Sequence, residues 1–104
     1  MPMANQEYLY LTTIGHKTGN PHEIEIWYVQ HNDCYYLVAE HREKAHWVQN
    51  IRANPTITFR LGDHTFNGTG EIPTGDELIQ TIKEKMDDKY NWSAGLVVQL
   101  CADD

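Results

Sequence analysis

The chain is poor in cations, poor in cysteine and free of long apolar runs, and each shortage removes a class of function. Eight Lys and Arg stand against fifteen Asp and Glu, a formal charge of −7 at pH 7. Phosphate backbones are gripped by a basic face, so general nucleic-acid binding is excluded. No apolar stretch approaches the ~20 residues of a membrane-spanning helix. The start, MPMANQEYLY, lacks the basic-then-apolar order of a secretory signal. A cytoplasmic protein is expected, with no nucleic-acid partner. There are two cysteines, Cys34 and Cys101, and neither belongs to a CxxC pair. A cysteine zinc site is therefore not indicated, and a reducing compartment predicts two free thiols.

Other absences concern catalysis. His41 and His46 are five residues apart and His16 and His22 six, which misses the i, i+4 spacing of a helical zinc site. No nucleophile turn accompanies a Ser, His and Asp set, so covalent hydrolysis has no support. Solvated or hydrogen-bonding histidines are expected, and no metal site is assigned.

What is present is a series of short strands. Tyr8-Leu9-Tyr10-Leu11-Thr12-Thr13-Ile14 is aromatic and β-branched. Gly15 to Pro21 turns the chain, and His22 to Gln30 alternates, with Ile24, Ile26 and Tyr28 on one face. After the turn His31-Asn32-Asp33, CYYLVA (Cys34 to Ala39) completes a meander of three strands. Trp47, Val48 and Ile51 have helical spacing, and Asn54-Pro55 ends that helix. Thr56 to Leu61 and Thr65 to Ile72 are two more strands. A second helix runs from Asp76 to about Lys89 on the stripe Leu78, Ile79, Ile82 and Met86. The segment Tyr90 to Gly95 is a loop, and Leu96 to Leu100 is a sixth strand. The pattern predicts one domain over residues 1–104, mainly β (α+β): a six-stranded antiparallel barrel with two short helices covering its open edges.

The stretch Gly15-His16-Lys17-Thr18-Gly19 has two readings. It is an ordinary hairpin turn with solvated side chains, or an anion-holding turn. In the second reading glycines turn backbone N–H groups inward, and Lys17 and Thr18 add a charge and a hydroxyl. A second cationic group, Arg42 and Lys44, precedes the first helix, whose N-terminus favours anions.

LTTIGHKTGNP resembles the opening signature of the deazaflavin (coenzyme F-420)-dependent nitroreductase family, usually LTTxGRKSGxxR. AHWVQNIRANPTITF resembles that family's helix and following strand, with Trp47, Asn50, Ala53, Asn54 and Pro55 on its WxxNLxANP pattern. NWSAGLVVQL resembles its last strand, so the likeness spans about Tyr8 to Leu100. It implies a split β-barrel of the flavin-binding, pyridoxamine-phosphate-oxidase-like group. It also implies a homodimer holding coenzyme F-420 or FMN in a groove between subunits. By position, Lys17 and Thr18 match the residues that hold the cofactor's phosphate side, and Arg42 or Lys44 is the second phosphate contact. Trp47 matches a helix tryptophan, Tyr28 an aromatic facing the groove, and Tyr90 is the candidate catalytic residue. His16 and His22 stand where the family usually has arginine; His16 is kept among the candidate cofactor contacts. The activity implied is hydride transfer from reduced cofactor to a small acceptor such as a quinone or nitroaromatic. The alternatives are a non-catalytic carrier of the same fold and a barrel that binds metal or haem through its histidines.

Overall fold

The structure, a computed structural model, describes residues 7–103; the ends of the expected domain lie outside them. Seven strands, β1 (Tyr8–Ile14), β2 (Pro21–Trp27), β3 (Val29–His31), β4 (Cys34–Ala39), β5 (Thr56–Leu61), β6 (His64–Glu71) and β7 (Leu96–Ala102), form one sheet. Its order is β2-β1-β5-β6-β7-β4-β3, and all its pairings are antiparallel. The two outermost strands, β2 and β3, are consecutive in the chain and separated only by Tyr28. A sheet whose opposite edges are joined by one residue has to curl back on itself, and this makes the barrel.

The count of seven corrects the expected six. The predicted strand from His22 to Gln30 breaks at Tyr28, and the cause lies at the end of α2 (Asp76–Tyr90). The Tyr28 N–H donates to the Tyr90 hydroxyl at 3.1 Å. The Tyr28 carbonyl accepts from Lys89 Nζ at 3.0 Å and lies 2.9 Å from the Tyr90 hydroxyl. Side chains thus take up backbone groups that a neighbouring strand would otherwise hold, and the chain can bend there from one sheet edge to the other. The helix also runs on to Tyr90, which is not in a loop.

Alternation fixes the core. Leu9, Leu11 and Thr13 of β1 are buried and their neighbours less so. Ile57, Phe59 and Leu61 of β5 do the same. Strand β4 is covered on both faces: Tyr35, Leu37 and Ala39 enter the barrel interior with Val48 and Ile51 of α1 (His46–Ala53), while Tyr36 and Val38 pack with Ile82 and Met86 of α2. Helix α2 therefore covers a face of the sheet.

Cys34 and Cys101 are directly opposed in the β4–β7 ladder, with Cα atoms 4.6 Å apart, and form a disulfide. This corrects the free-thiol expectation. Sequence spacing of 67 residues hides a pairing that strand register makes unavoidable.

Candidate functional site

The loop Gly15–Asn20 closes tightly on itself. The Gly15 N–H donates to the Asn20 carbonyl at 2.7 Å, and the Gly19 N–H to the Gly15 carbonyl at 2.8 Å. The Asn20 N–H reaches Thr18 Oγ1 at 3.2 Å. Both glycines are needed. A Cβ on Gly15 would lie 2.7 Å from Thr18 Oγ1 and 2.9 Å from His22 Nε2, and Gly19 has φ +74°. These bonds answer part of the question the turn raised. The amides of Gly15, Gly19 and Asn20 serve the loop itself and are not offered to an anion.

A buried polar hub ties the loop to α1. Asn50, 4% exposed, accepts the His16 N–H at 2.9 Å and approaches His16 Nδ1 at 2.7 Å, both through Oδ1. Its amide nitrogen donates to the Thr13 hydroxyl at 2.9 Å. The backbone N–H of His16 can only donate, which fixes the orientation of the Asn50 amide. The sequence marked Asn50 only as a pattern residue; a lone Asn on an apolar helix face was the signal that it has a specific partner.

Loop, β2, the segment after β4 and α1 enclose a cavity of about 1070 Å³. Lys17 and Thr18 line it from the loop, Arg42 and Lys44 from a short 3-10 turn (Arg42–Lys44), and Trp47 from α1. Three of the chain's eight cations therefore face one space. Helix α1 begins there with no side-chain cap on Ala45 and no acidic residue in its first turn, leaving its positive dipole end unopposed. Arg42 itself has φ +54°, the left-handed region that costs a non-glycine residue roughly 1–2 kcal/mol. Strain of that kind is retained where surroundings hold it, often at functional sites.

A second cavity of about 650 Å³ adjoins the first, sharing Ile24, Glu40, His41, Ala45 and Trp47 in its lining. Its other walls are mostly apolar and aromatic, with Ile26, Val38, Trp27 and Trp92 among them, together with Glu25. The two form one groove, charged at the loop end, where Glu23, Glu40 and Glu43 line the space with Lys17, Arg42 and Lys44, and mostly aromatic at the other. Trp27 stacks on Tyr90, ring centroids 4.5 Å apart at 5°, and meets Trp92 edge-on at 6.2 Å.

His16, Lys17, Thr18, Arg42, Lys44 and Trp47 are thus brought together as the sequence predicted. Tyr28 and Tyr90 are not. Tyr28 is fully buried in the barrel, 5.9 Å from the Tyr35 ring and under Lys89 Nζ at 3.8 Å. It sits at the break between strands, so it does not share the face of Ile24 and Ile26 as it would in a continuous strand, and the groove-facing position implied by the family resemblance is not seen. Tyr90 lies behind Trp27, its hydroxyl engaged by the backbone of Tyr28 and by the Glu7 carbonyl. Burial pushes that phenol up to about 12, against a smaller lowering from its bond to Tyr28. Burial likewise lowers Lys89. These three residues form a latch on the strand break and line neither cavity.

Curled sheet and inserted helices define a split barrel. The F420H(2)-dependent quinone reductase family matches over residues 1–94, and the chain belongs to that family. An F420H(2)-dependent quinone reductase of Mycobacterium tuberculosis (strain ATCC 25618 / H37Rv) is 28% identical over 90 residues, covering 79% of this chain and 60% of that protein. The chain spans about 60% of the length of the curated relatives it matches. Among solved structures, an F420-H2 dependent reductase aligns with TM-score 0.72 at 23% identity, over 90% of this chain and 92% of the other. The haem storage protein HutZ of Vibrio cholerae aligns with TM-score 0.81 at 17% identity, over 98% and 85%. Likeness at these identities concerns the fold.

Among the described residues no helix is long and apolar enough to cross a membrane, and no group of three or more His, Cys, Asp or Glu is arranged to hold a metal ion.

Proposed function

We propose that this chain binds reduced coenzyme F-420 in the groove and delivers its hydride to a quinone. One observation carries the reading: Lys17, Arg42 and Lys44, set among Glu23, Glu40 and Glu43, line one end of a groove whose other end holds Trp27, Trp47 and Trp92. That polarity suits a planar ring bearing a phosphorylated, acidic tail. The bound deazaflavin supplies the redox chemistry as a hydride donor. The protein's part is positional. Lys17, Arg42 and Lys44 draw the phosphate, Thr18 offers a hydroxyl, and Trp47 lines the junction between the polar and aromatic halves. Trp27 and Trp92 give the ring and a flat acceptor apolar surface to lie against. No side chain at the aromatic end is required as an acid, since the acceptor's proton comes from solvent.

FMN, with one terminal phosphate, fits the same chemistry. His16 and His22 in place of two arginines favour it, and favour equally a carrier that binds without turnover. A titration of FMN against coenzyme F-420, followed by steady-state oxidation of the reduced cofactor with a soluble quinone, separates these. Turnover with F-420 is expected; tight binding with no turnover across quinones and nitroaromatics would leave the carrier.

The aromatic end is open, with Trp27 40% and Tyr8 37% exposed. We place a second copy of the chain over it, making a homodimer, to be read by sedimentation equilibrium. A cytoplasmic setting fits the redox role and exposes the Cys34–Cys101 bond to thiol reductants.

A further inference from the structure

His16 stands in the charged end of the groove with one ring nitrogen already committed. Asn50 Oδ1 accepts from both the backbone N–H and Nδ1 of His16, at 2.9 and 2.7 Å. Because the Asn50 amide is oriented by that backbone N–H, and its nitrogen is used on Thr13, Nδ1 must carry hydrogen. The ring is therefore held as the Nδ1–H tautomer when neutral. Nε2 is then the nitrogen left to the groove, and His16 lies on the groove lining. Protonation adds a hydrogen at Nε2 and leaves the Asn50 contact untouched. The same anchored ring serves in both charge states: an acceptor when neutral, a cationic donor when protonated. An arginine at this position would be a donor at every pH.

We propose that His16 is a specificity-determining residue for the cofactor's phosphate, a proton-controlled contact preset by Asn50. The inference rests on the proposed binding of coenzyme F-420 in this groove. Binding of the anionic tail then draws a proton onto Nε2, so affinity rises as pH falls.

Other charges share the space. Lys17 of the same loop, and Arg42 and Lys44 opposite, oppose the proton; Glu23 of β2, Glu40 and Glu43 favour it. His22, His41 and His46 also line the cavity, from β2, the segment after β4 and α1. The informative quantity is therefore the change in proton uptake when His16 alone is replaced, not the bare pH slope.

The test is a fluorescence titration of coenzyme F-420 between pH 5.5 and 8.5 with the wild-type chain, His16→Gln and His16→Arg. The coenzyme's phosphodiester keeps one charge throughout that range, unlike the phosphate monoester of FMN, whose second ionisation falls near ~6. Unfolding midpoints accompany each variant. The wild type is expected to bind roughly tenfold more tightly at pH 5.5 than at pH 8.5, the reach of one charge-assisted hydrogen bond. His16→Arg should hold the tight affinity at pH 8.5, and His16→Gln should bind weakly at both ends. Each should take up fewer protons on binding than the wild type, by about half a proton at the pH of greatest uptake. Variants that keep the wild-type proton uptake overturn the role of His16 while leaving the binding site standing. A wild type that binds equally at every pH does the same. Absence of F-420 binding at any pH overturns the functional reading and this inference together.

Discussion

At the scale of single residues, the groove separates side chains that hold the fold from side chains that wait for a ligand. Lys17 is exposed at a loop tip and lines the cavity, so its charge does little for folding. Lys17→Ala is expected to weaken F-420 binding by about 1–3 kcal/mol, measured by titration, with the unfolding midpoint unchanged. Arg42 combines a ligand-facing charge with a left-handed backbone. Arg42→Gly removes both the charge and the strain. It should raise unfolding free energy by up to about 1 kcal/mol in a denaturant melt while weakening cofactor binding. Stability and binding moving in opposite directions is the signature to look for; a loss of both would mean that the Arg42 side chain holds the turn. The loop that puts Lys17 and Thr18 on the cavity lining was legible as a turn because it is short and glycine-bounded. Asn50 was not legible as a hub, because its partners Thr13 and His16 are 37 and 34 positions away.

At the scale of elements, the end of α2 determines how the sheet is drawn. Lys89 and Tyr90 hold both backbone groups of Tyr28, and that hold divides β2 from β3. Tyr90→Phe is expected to cost about 1–2 kcal/mol of unfolding free energy. Its folded fraction should turn over quinone within about twofold of the wild type, whereas a proton-donating Tyr90 would give a far larger loss. The pH dependence has a definite sign. The Tyr90 phenol titrates near 10 in the unfolded chain and is pushed up to about 12 by burial in the fold. Between those values the unfolded chain has lost the proton that the folded chain keeps. Stability from this group is complete below pH 10 and lost as pH rises through about 12. Tyr35 and Tyr36, also raised chiefly by burial, act in the same direction, and the lowered Lys89 acts against them. Alkaline melts of the wild type and Tyr90→Phe should differ by a shallower fall in the variant. A parallel fall in both would remove Tyr90 from the account.

At the scale of the whole molecule, one covalent bond fastens β4 to β7 along their shared edge. Cys34 at the start of β4 and Cys101 near the end of β7 close a loop of 67 residues. Chain-entropy arguments put such a cross-link at roughly 4 kcal/mol, and measured values are often nearer 2. Reduction with dithiothreitol, or Cys34→Ser with Cys101→Ser, is expected to lower unfolding free energy by about 2–4 kcal/mol. An unchanged midpoint after reduction would show that the ladder alone fixes this edge.

Local pattern alone determined where most strands and both helices lie. Period-two alternation in β1 and β5, the Asn54-Pro55 stop and the stripe through Ile82 and Met86 are encoded within a few residues of where they act. The shared motifs added the family. Four things had to wait for the tertiary structure: the break at Tyr28, the disulfide, the Asn50 hub, and the removal of Tyr28 and Tyr90 from the groove. Each depends on contacts between residues at least 34 positions apart, from Asn50 with His16 to Cys34 with Cys101. Only the folding of the sheet onto itself brings such partners within bonding distance, and no short-range periodicity carries that information.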